Sequence, residues 1–177
     1  MKKILFSCLL LGMFSLCSFG QNYVPYASPE VVNRPTEGSS SCIPKNAFGI
    51  DIGIGSVEGY RTNMMMFSAG IRYLHHFGSY FGMDFLKINY QFVDFDEHNM
   101  QFMSGIRLNS PTFYRCMSGY GSIRFGWGGL FDFDSGFCYE VEIGFNLTRS
   151  IFLGYSFNQQ PGDYRHHSLR IGFNLGK

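Results

Sequence analysis

The residues best equipped for chemistry lie near the carboxyl end: His166-His167-Ser168, with Glu140 and Glu142 upstream. A histidine close to a serine and backed by a carboxylate is the set that turns a hydroxyl into a nucleophile. Two histidine pairs, His75-His76 and His166-His167, together with His98, offer imidazoles of the kind that ligate transition metals. Asp-Phe-Asp occurs twice, as Asp94-Phe95-Asp96 (followed by Glu97) and as Asp132-Phe133-Asp134, and clustered carboxylates suit Ca²⁺ or Mg²⁺. A further set, Asp51, Arg72, Lys87, Arg107, Arg124, Glu140, Glu142 and Arg170, consists of single charges spaced through apolar segments. Whether any of these sets converges depends on the elements that carry them.

Composition narrows those elements. The 177 residues are only 15% charged but 18% aromatic, with 22 glycines and 20 phenylalanines. Soluble domains carry about 25% charged residues. Mean hydropathy is nevertheless −0.03, so apolar and polar residues must be finely interleaved. The net charge of +1 and the absence of a Lys/Arg cluster leave no electrostatic footprint for a nucleic acid. Lys2 and Lys3, the apolar run Ile4 to Leu16, and Ser18-Phe19-Gly20 make residues 1–20 a secretory signal peptide, expected to be cleaved before Gln21. The run is shorter than the roughly 20 residues a bilayer-spanning helix needs. Leu16 before Cys17 lacks the small side chain of a lipoprotein signal. Residues 21–46, with Pro25, Pro29, Pro35, Pro44 and Gly38-Ser39-Ser40-Ser41, form an expected linker.

From Ala47 to Lys177 the pattern is period-2 alternation, the signature of strands. Eight runs are expected, near 47–55, 64–75, 82–92, 100–109, 119–129, 137–147, 151–158 and 167–175. Gly70-Ile71-Arg72-Tyr73, Gly105-Ile106-Arg107-Leu108, Gly144-Phe145-Asn146-Leu147 and Gly172-Phe173-Asn174-Leu175 share one form and fall on the even-numbered runs. The chain therefore reads as four hairpins in series: an all-β, eight-stranded, antiparallel up-and-down barrel.

Parity divides each run into two unlike faces. One face holds Ile50, Ile52, Ile71, Ile106, Phe125, Ile143, Leu153, Ile171 and their like; its single charge, Asp84, is expected at the rim. The other holds Asp51, Arg72, Lys87, Arg107, Arg124, Glu140, Glu142 and Arg170 among many glycines. A soluble, lipocalin-like barrel binding a hydrophobic ligand would turn the apolar face inward, and a membrane barrel would turn it outward. The expected strands contain no threonine and a single lysine, Lys87, which is poor material for a solvated surface. Glycine on the polar face suits a crowded lumen, and the bulky apolar set would overfill an eight-stranded interior. The apolar face is accordingly assigned to lipid, with Tyr73, Tyr90, Trp127, Tyr139 and Tyr155 as interfacial aromatics. The lumenal charges must then pair with one another, because an unpaired buried charge costs several kcal/mol.

The signal peptide, the Gly-aromatic strands and the last strand Leu169-Arg170-Ile171-Gly172-Phe173-Asn174-Leu175 resemble the small outer-membrane β-barrel proteins of Gram-negative bacteria. The resemblance implies an outer-membrane location, outer-membrane lipids and the barrel assembly machinery as partners, a monomer, no cofactor, and a final strand that serves as the assembly signal. It also invites comparison with outer-membrane lipid deacylases, which use a His-x-Ser pair plus an acid. Here His166 and Ser168 share the lumenal parity of Arg170, away from lipid, so a lipid-modifying hydrolase is only an alternative and no catalytic residue is expected. His75-His76 falls at one barrel end and His98 and His166-His167 at the other, so no metal site is expected. The Asp-Phe-Asp segments read as solvated loop acids. The expected role is non-enzymatic: a salt-bridged, poreless lumen with exposed loops for surface interaction or envelope integrity. Removing the signal leaves Cys42, Cys116 and Cys138 in an oxidising compartment. Cys42 and Cys116 fall at one end and Cys138 at the other, about 25 Å away across the apolar band. Only a Cys42–Cys116 disulfide is open to the chain; the alternative is free or intermolecular thiols.

Overall fold

A computed structural model describes residues 42–58, 63–94, 97–114, 116–131 and 134–176. Eight strands run in chain order: β1 (Asn46–Glu58), β2 (Asn63–His76), β3 (Phe81–Val93), β4 (Glu97–Asn109), β5 (Ser118–Phe131), β6 (Gly136–Asn146), β7 (Ile151–Gln159) and β8 (Arg165–Gly176). Each pairs antiparallel with its sequence neighbour, and β1 pairs antiparallel with β8, from Ala47↔Gly176 to Glu58↔Arg165, so the sheet closes on itself. Closure leaves no edge strand and satisfies the backbone internally, which is what a strand structure needs in a medium without water.

An even number of strands puts both ends of the barrel chain at one mouth, with the connections 77–80, 110–117 and 147–150. At the opposite mouth successive strand ends (Glu58 and Asn63, Val93 and Glu97, Phe131 and Gly136, Gln159 and Arg165) are separated by five residues or fewer. Two of these turns use the left-handed backbone region. Asp94 (φ 47°) donates its N–H to the Met65 carbonyl at 3.0 Å, and its Oδ1 accepts the Met65 N–H at 3.0 Å. Gly162 (φ 76°) follows Pro161 in a single 3₁₀ turn, Pro161–Asp163.

The faces sort as alternation requires, with the apolar side chains outside. Ile52, Leu169 and Phe137 are each 60% exposed, whereas the largest fully buried side chains include Arg72, Lys87, Arg107, Arg124 and Arg170. The inward-facing apolar arrangement of a lipocalin-like barrel is therefore not what forms.

Two irregularities interrupt strict alternation. The register shifts between Tyr73/Leu74 on β2–β3 and between Asp84 and Lys87 on β3–β4. Phe85 and Leu86 consequently both face outward, and Asp84 is fully buried in the lumen rather than at the rim of the apolar face. The bulge inserts one residue and reverses the parity of what precedes it. The second irregularity, a shift between Met100 and Phe102 on β4–β5, accompanies Gly129 at φ 84°. A Cβ at Gly129 would run into the Asp134 carbonyl, so only glycine fits there.

Candidate functional site

The lumen is layered along the strands. Val57, Met66 and Val93 form a small apolar cap near the short-connection mouth. Next comes a belt of amides. Asn99 and Gln101 both donate to Gln91 Oε1, and Asn89 and Asn158 both donate to Gln101 Oε1. Neutral amides can act as donor and acceptor at once, so they fill this part of the barrel without adding charge.

The middle of the lumen is a compact ion cluster. Lys87 Nζ donates to Glu140 Oε1 at 2.6 Å and to Glu142 Oε2 at 3.2 Å. Arg124 donates through Nε to Asp84 Oδ2 at 2.6 Å, and through Nη1 to Glu142 Oε2 at 2.8 Å and also to Glu140 Oε1. Arg170 Nη1 reaches Asp51 Oδ1 at 2.8 Å and its Nη2 lies 3.5 Å from Glu140 Oε2. The Tyr120 hydroxyl donates to Glu142 Oε1 at 2.6 Å. Lys87 and Asp84 come from β3, Arg124 and Tyr120 from β5, Glu140 and Glu142 from β6, and Asp51 and Arg170 from β1 and β8. Charges from opposite walls of the barrel thus meet at its axis, where low dielectric makes both pairing and mispairing costly.

The remaining two arginines lie nearer the termini. Arg72 stacks 3.9 Å over the Phe152 ring, donates Nη2 to Asn174 Oδ1 at 3.1 Å, and holds Nη1 3.7 Å from Glu142 Oε1. Arg107 lies 3.6 Å over Tyr120 and donates Nε to Asn109 and Nη2 to Asn146. Of the eight charges read from the sequence, Arg107 alone makes no ion pair among the described residues. Asp84 takes a place beside the other seven. Sequence parity missed it, although the adjacent apolar pair Phe85-Leu86 inside an otherwise alternating strand marks the bulge. Tyr120, which follows the lumenal parity, was also passed over.

The other candidates do not assemble. Ser168 Oγ lies 2.7 Å from Ser156 Oγ and accepts from Arg170 Nε at 3.2 Å, while Glu140 and Glu142 are engaged by Lys87 and Arg124. His75 contacts Asn46, His76 contacts the Pro44 carbonyl, and His98 and His167 contact Tyr90 and Tyr155. No group of three His, Cys, Asp or Glu among the described residues is arranged to hold a metal. Phe95, Asp96, Asp132 and Phe133 of the Asp-Phe-Asp segments lie outside the described residues.

On the outside, Tyr90, Trp127 and Tyr139 sit in the strand halves toward the short connections, Tyr155 sits at the middle of β7, and Tyr73 sits toward the terminal mouth. Phe92 and His98 pack around Tyr90, His167 lies between Tyr155 and Phe157, Phe157 lies beside Tyr139, and Phe85 lies 6.2 Å from Tyr73, so the four tyrosines belong to aromatic clusters. At the terminal mouth Cys42 and Cys116 are disulfide-bonded, with Cα atoms 5.2 Å apart. Cys138 is free and buried near the other end.

A closed barrel with charges at its axis and an unbroken apolar exterior is the surface of a protein that sits in lipid. No protein-family model and no curated protein matches the sequence. Solved structures do match in fold. Neisserial surface protein A is 12% identical over 75% of this chain and 97% of its own, with a TM-score of 0.61. The outer-membrane enzyme PagL is 11% identical over 70% of this chain and 97% of its own, with a TM-score of 0.52. The chain has the fold of the small eight-stranded outer-membrane β-barrels.

Proposed function

We propose that this chain is an integral outer-membrane protein that works as a non-enzymatic, poreless structural barrel, exported by cleavage of residues 1–20 and acting as a monomer. The observation that carries this reading is the ion cluster across the barrel axis, where Lys87, Arg124 and Arg170 tie together carboxylates from β1, β3 and β6. A lumen filled in this way has no path for hydrated solutes. Between surface interaction and envelope integrity, the short connections favour the latter, because segments of at most five residues offer a partner little area. A hydrolase acting on membrane lipid is disfavoured because Ser168 is 3% exposed and points into the lumen, out of reach of an acyl chain outside.

The test has two arms. Export in a Gram-negative host should yield a mature chain beginning at Gln21 that fractionates with the outer membrane, runs as a heat-modifiable band and has its single Trp127 quenched by brominated lipid. Reconstituted into planar bilayers, it should give no stepwise conductance. Unquenched Trp127 would refute lipid exposure, and sustained conductance steps would refute the poreless lumen.

A further inference from the structure

Among the described residues Arg107 is the lumenal charge that makes no ion pair. It is 1% exposed, it uses Nε and Nη2 on the neutral side chains of Asn109 and Asn146, and one face of its guanidinium covers Tyr120. Its Nη1 has no hydrogen-bond partner among the described residues. The balance of the whole lumen points the same way. Five basic side chains (Arg72, Lys87, Arg107, Arg124 and Arg170) face four carboxylates (Asp51, Asp84, Glu140 and Glu142), all buried. A guanidinium cannot shed its proton at any pH the protein meets. Among the described residues one lumenal positive charge is therefore uncompensated, in surroundings where an unpaired charge is strongly unfavourable.

Arg107 also lines a cavity of about 10 Å³ at the terminal mouth of the barrel. Its walls include Asn146, Asn174 and Arg149, and no carboxylate is among its lining residues. Asn174 Oδ1 is taken by Arg72, which leaves its amide as a donor. Cys42, Ile43 and Pro44 also line it, on the side of the chain that enters the barrel. That segment is fixed: the His76 N–H donates to the Lys45 carbonyl at 2.7 Å, the His76 ring bonds the Pro44 carbonyl at 2.9 Å, and Cys42 is bonded to Cys116. The space is partly open toward the mouth and its inner part holds about one small particle, which suits a compact monatomic anion better than a bulky organic acid.

We propose that this cavity is a binding site for a single monovalent inorganic anion of chloride size, with the buried Arg107 as its principal ligand and the disulfide-tied 42–45 segment as its cover. The anion supplies the negative charge that the lumen lacks, and Arg149 at the mouth draws it in.

The test uses the full chain folded in a zwitterionic detergent, with sodium chloride or sodium gluconate at constant ionic strength. Above its dissociation constant, each tenfold rise in chloride should raise the folding equilibrium constant about tenfold, while gluconate, too large for the cavity, has no such effect. Arg107→Gln should abolish the chloride dependence. Crystals of the unmodified chain grown in bromide should show an anomalous peak in contact with Arg107 Nη1, a measurement that stands even if the variant does not fold. Equal stability in the two salts, a chloride dependence undiminished in Arg107→Gln, or water at Arg107 with bromide only elsewhere would each overturn the proposal.

Discussion

Replacing Glu142 by glutamine preserves the shape of the side chain and removes its charge from the most crowded point of the lumen. Glu142 accepts from Lys87 at 3.2 Å, Arg124 at 2.8 Å and Tyr120 at 2.6 Å, and stands 3.7 Å from Arg72. Breaking a buried pair by removing one partner costs about 3–5 kcal/mol, because the other charge remains buried. The glutamine oxygen still accepts one or two of these hydrogen bonds, so Glu142→Gln should cost about 3 kcal/mol. An exposed pair would contribute less than about 1 kcal/mol. Lys87→Met should cost less, since Arg124 and Arg170 still serve Glu140. The double variant removes one charge of each sign and should be more stable than the sum of the singles predicts, by about 1–3 kcal/mol. Urea unfolding in lipid vesicles, followed by the heat-modifiable gel shift and by Trp127 fluorescence, reads all three. A Glu142→Gln protein within about 0.5 kcal/mol of the parent, or strictly additive variants, would refute an energetically coupled cluster.

Ile171, exposed on β8 and paired with Ile52 and Leu153, should tolerate leucine. Arginine there should reduce folding stability in vesicles by about 2–4 kcal/mol if the site is mid-bilayer, and an unaffected Ile171→Arg protein would remove this strand from the lipid face. Non-reducing peptide mapping should find Cys42 linked to Cys116 and Cys138 as a free thiol. With the bonded cysteines 74 positions apart in sequence, the chain-entropy estimate for this crosslink is up to about 4 kcal/mol, so reduction should lower the unfolding midpoint. A bridge containing Cys138 is the outcome that would contradict the topology.

Strand number, strand order and the sign of each face were legible in the sequence because they follow from local alternation and from glycine-rich repeats such as Gly70-Ile71-Arg72-Tyr73. Strand ends were less so. β4 begins at Glu97 and β8 at Arg165 rather than near 100 and 167. Beyond the apolar band, residues such as Glu97, His98 and Arg165 remain in the hydrogen-bonded ladder but are polar on both faces, so hydropathy goes silent while the backbone continues. Asp84 was misplaced for a different reason. Parity counting assumes one residue per step, and the bulge between Asp84 and Lys87 adds one. The partners of each lumenal charge were not legible at all. They depend on which side chains meet across the axis, as Lys87 of β3 meets Glu140 and Glu142 of β6, and no local pattern encodes that distance.

These buried charges do more than fill the barrel. Side chains alternate with a period of two, so a one-residue slip of any strand against its neighbours would exchange its two faces. For β8 such a slip would place Arg170 in lipid and Ile171 in the lumen; for β5 it would do the same with Arg124 and Phe125. A lipid-facing arginine costs about 2–4 kcal/mol at the midplane, and the carboxylate it leaves behind is then unpaired as well. An apolar lumen would stabilise the native register without penalising its neighbours in this way. The glycines add a second restraint. A Cβ at Gly105 would collide with the Ile123 carbonyl, and one at Gly172 with the Phe152 ring, so larger residues cannot occupy these inward positions while Arg124 and Phe152 keep their places. Charges that tolerate only one face, interleaved with glycines that leave room for them, are sufficient to fix the register of a sheet whose outer residues are nearly interchangeable.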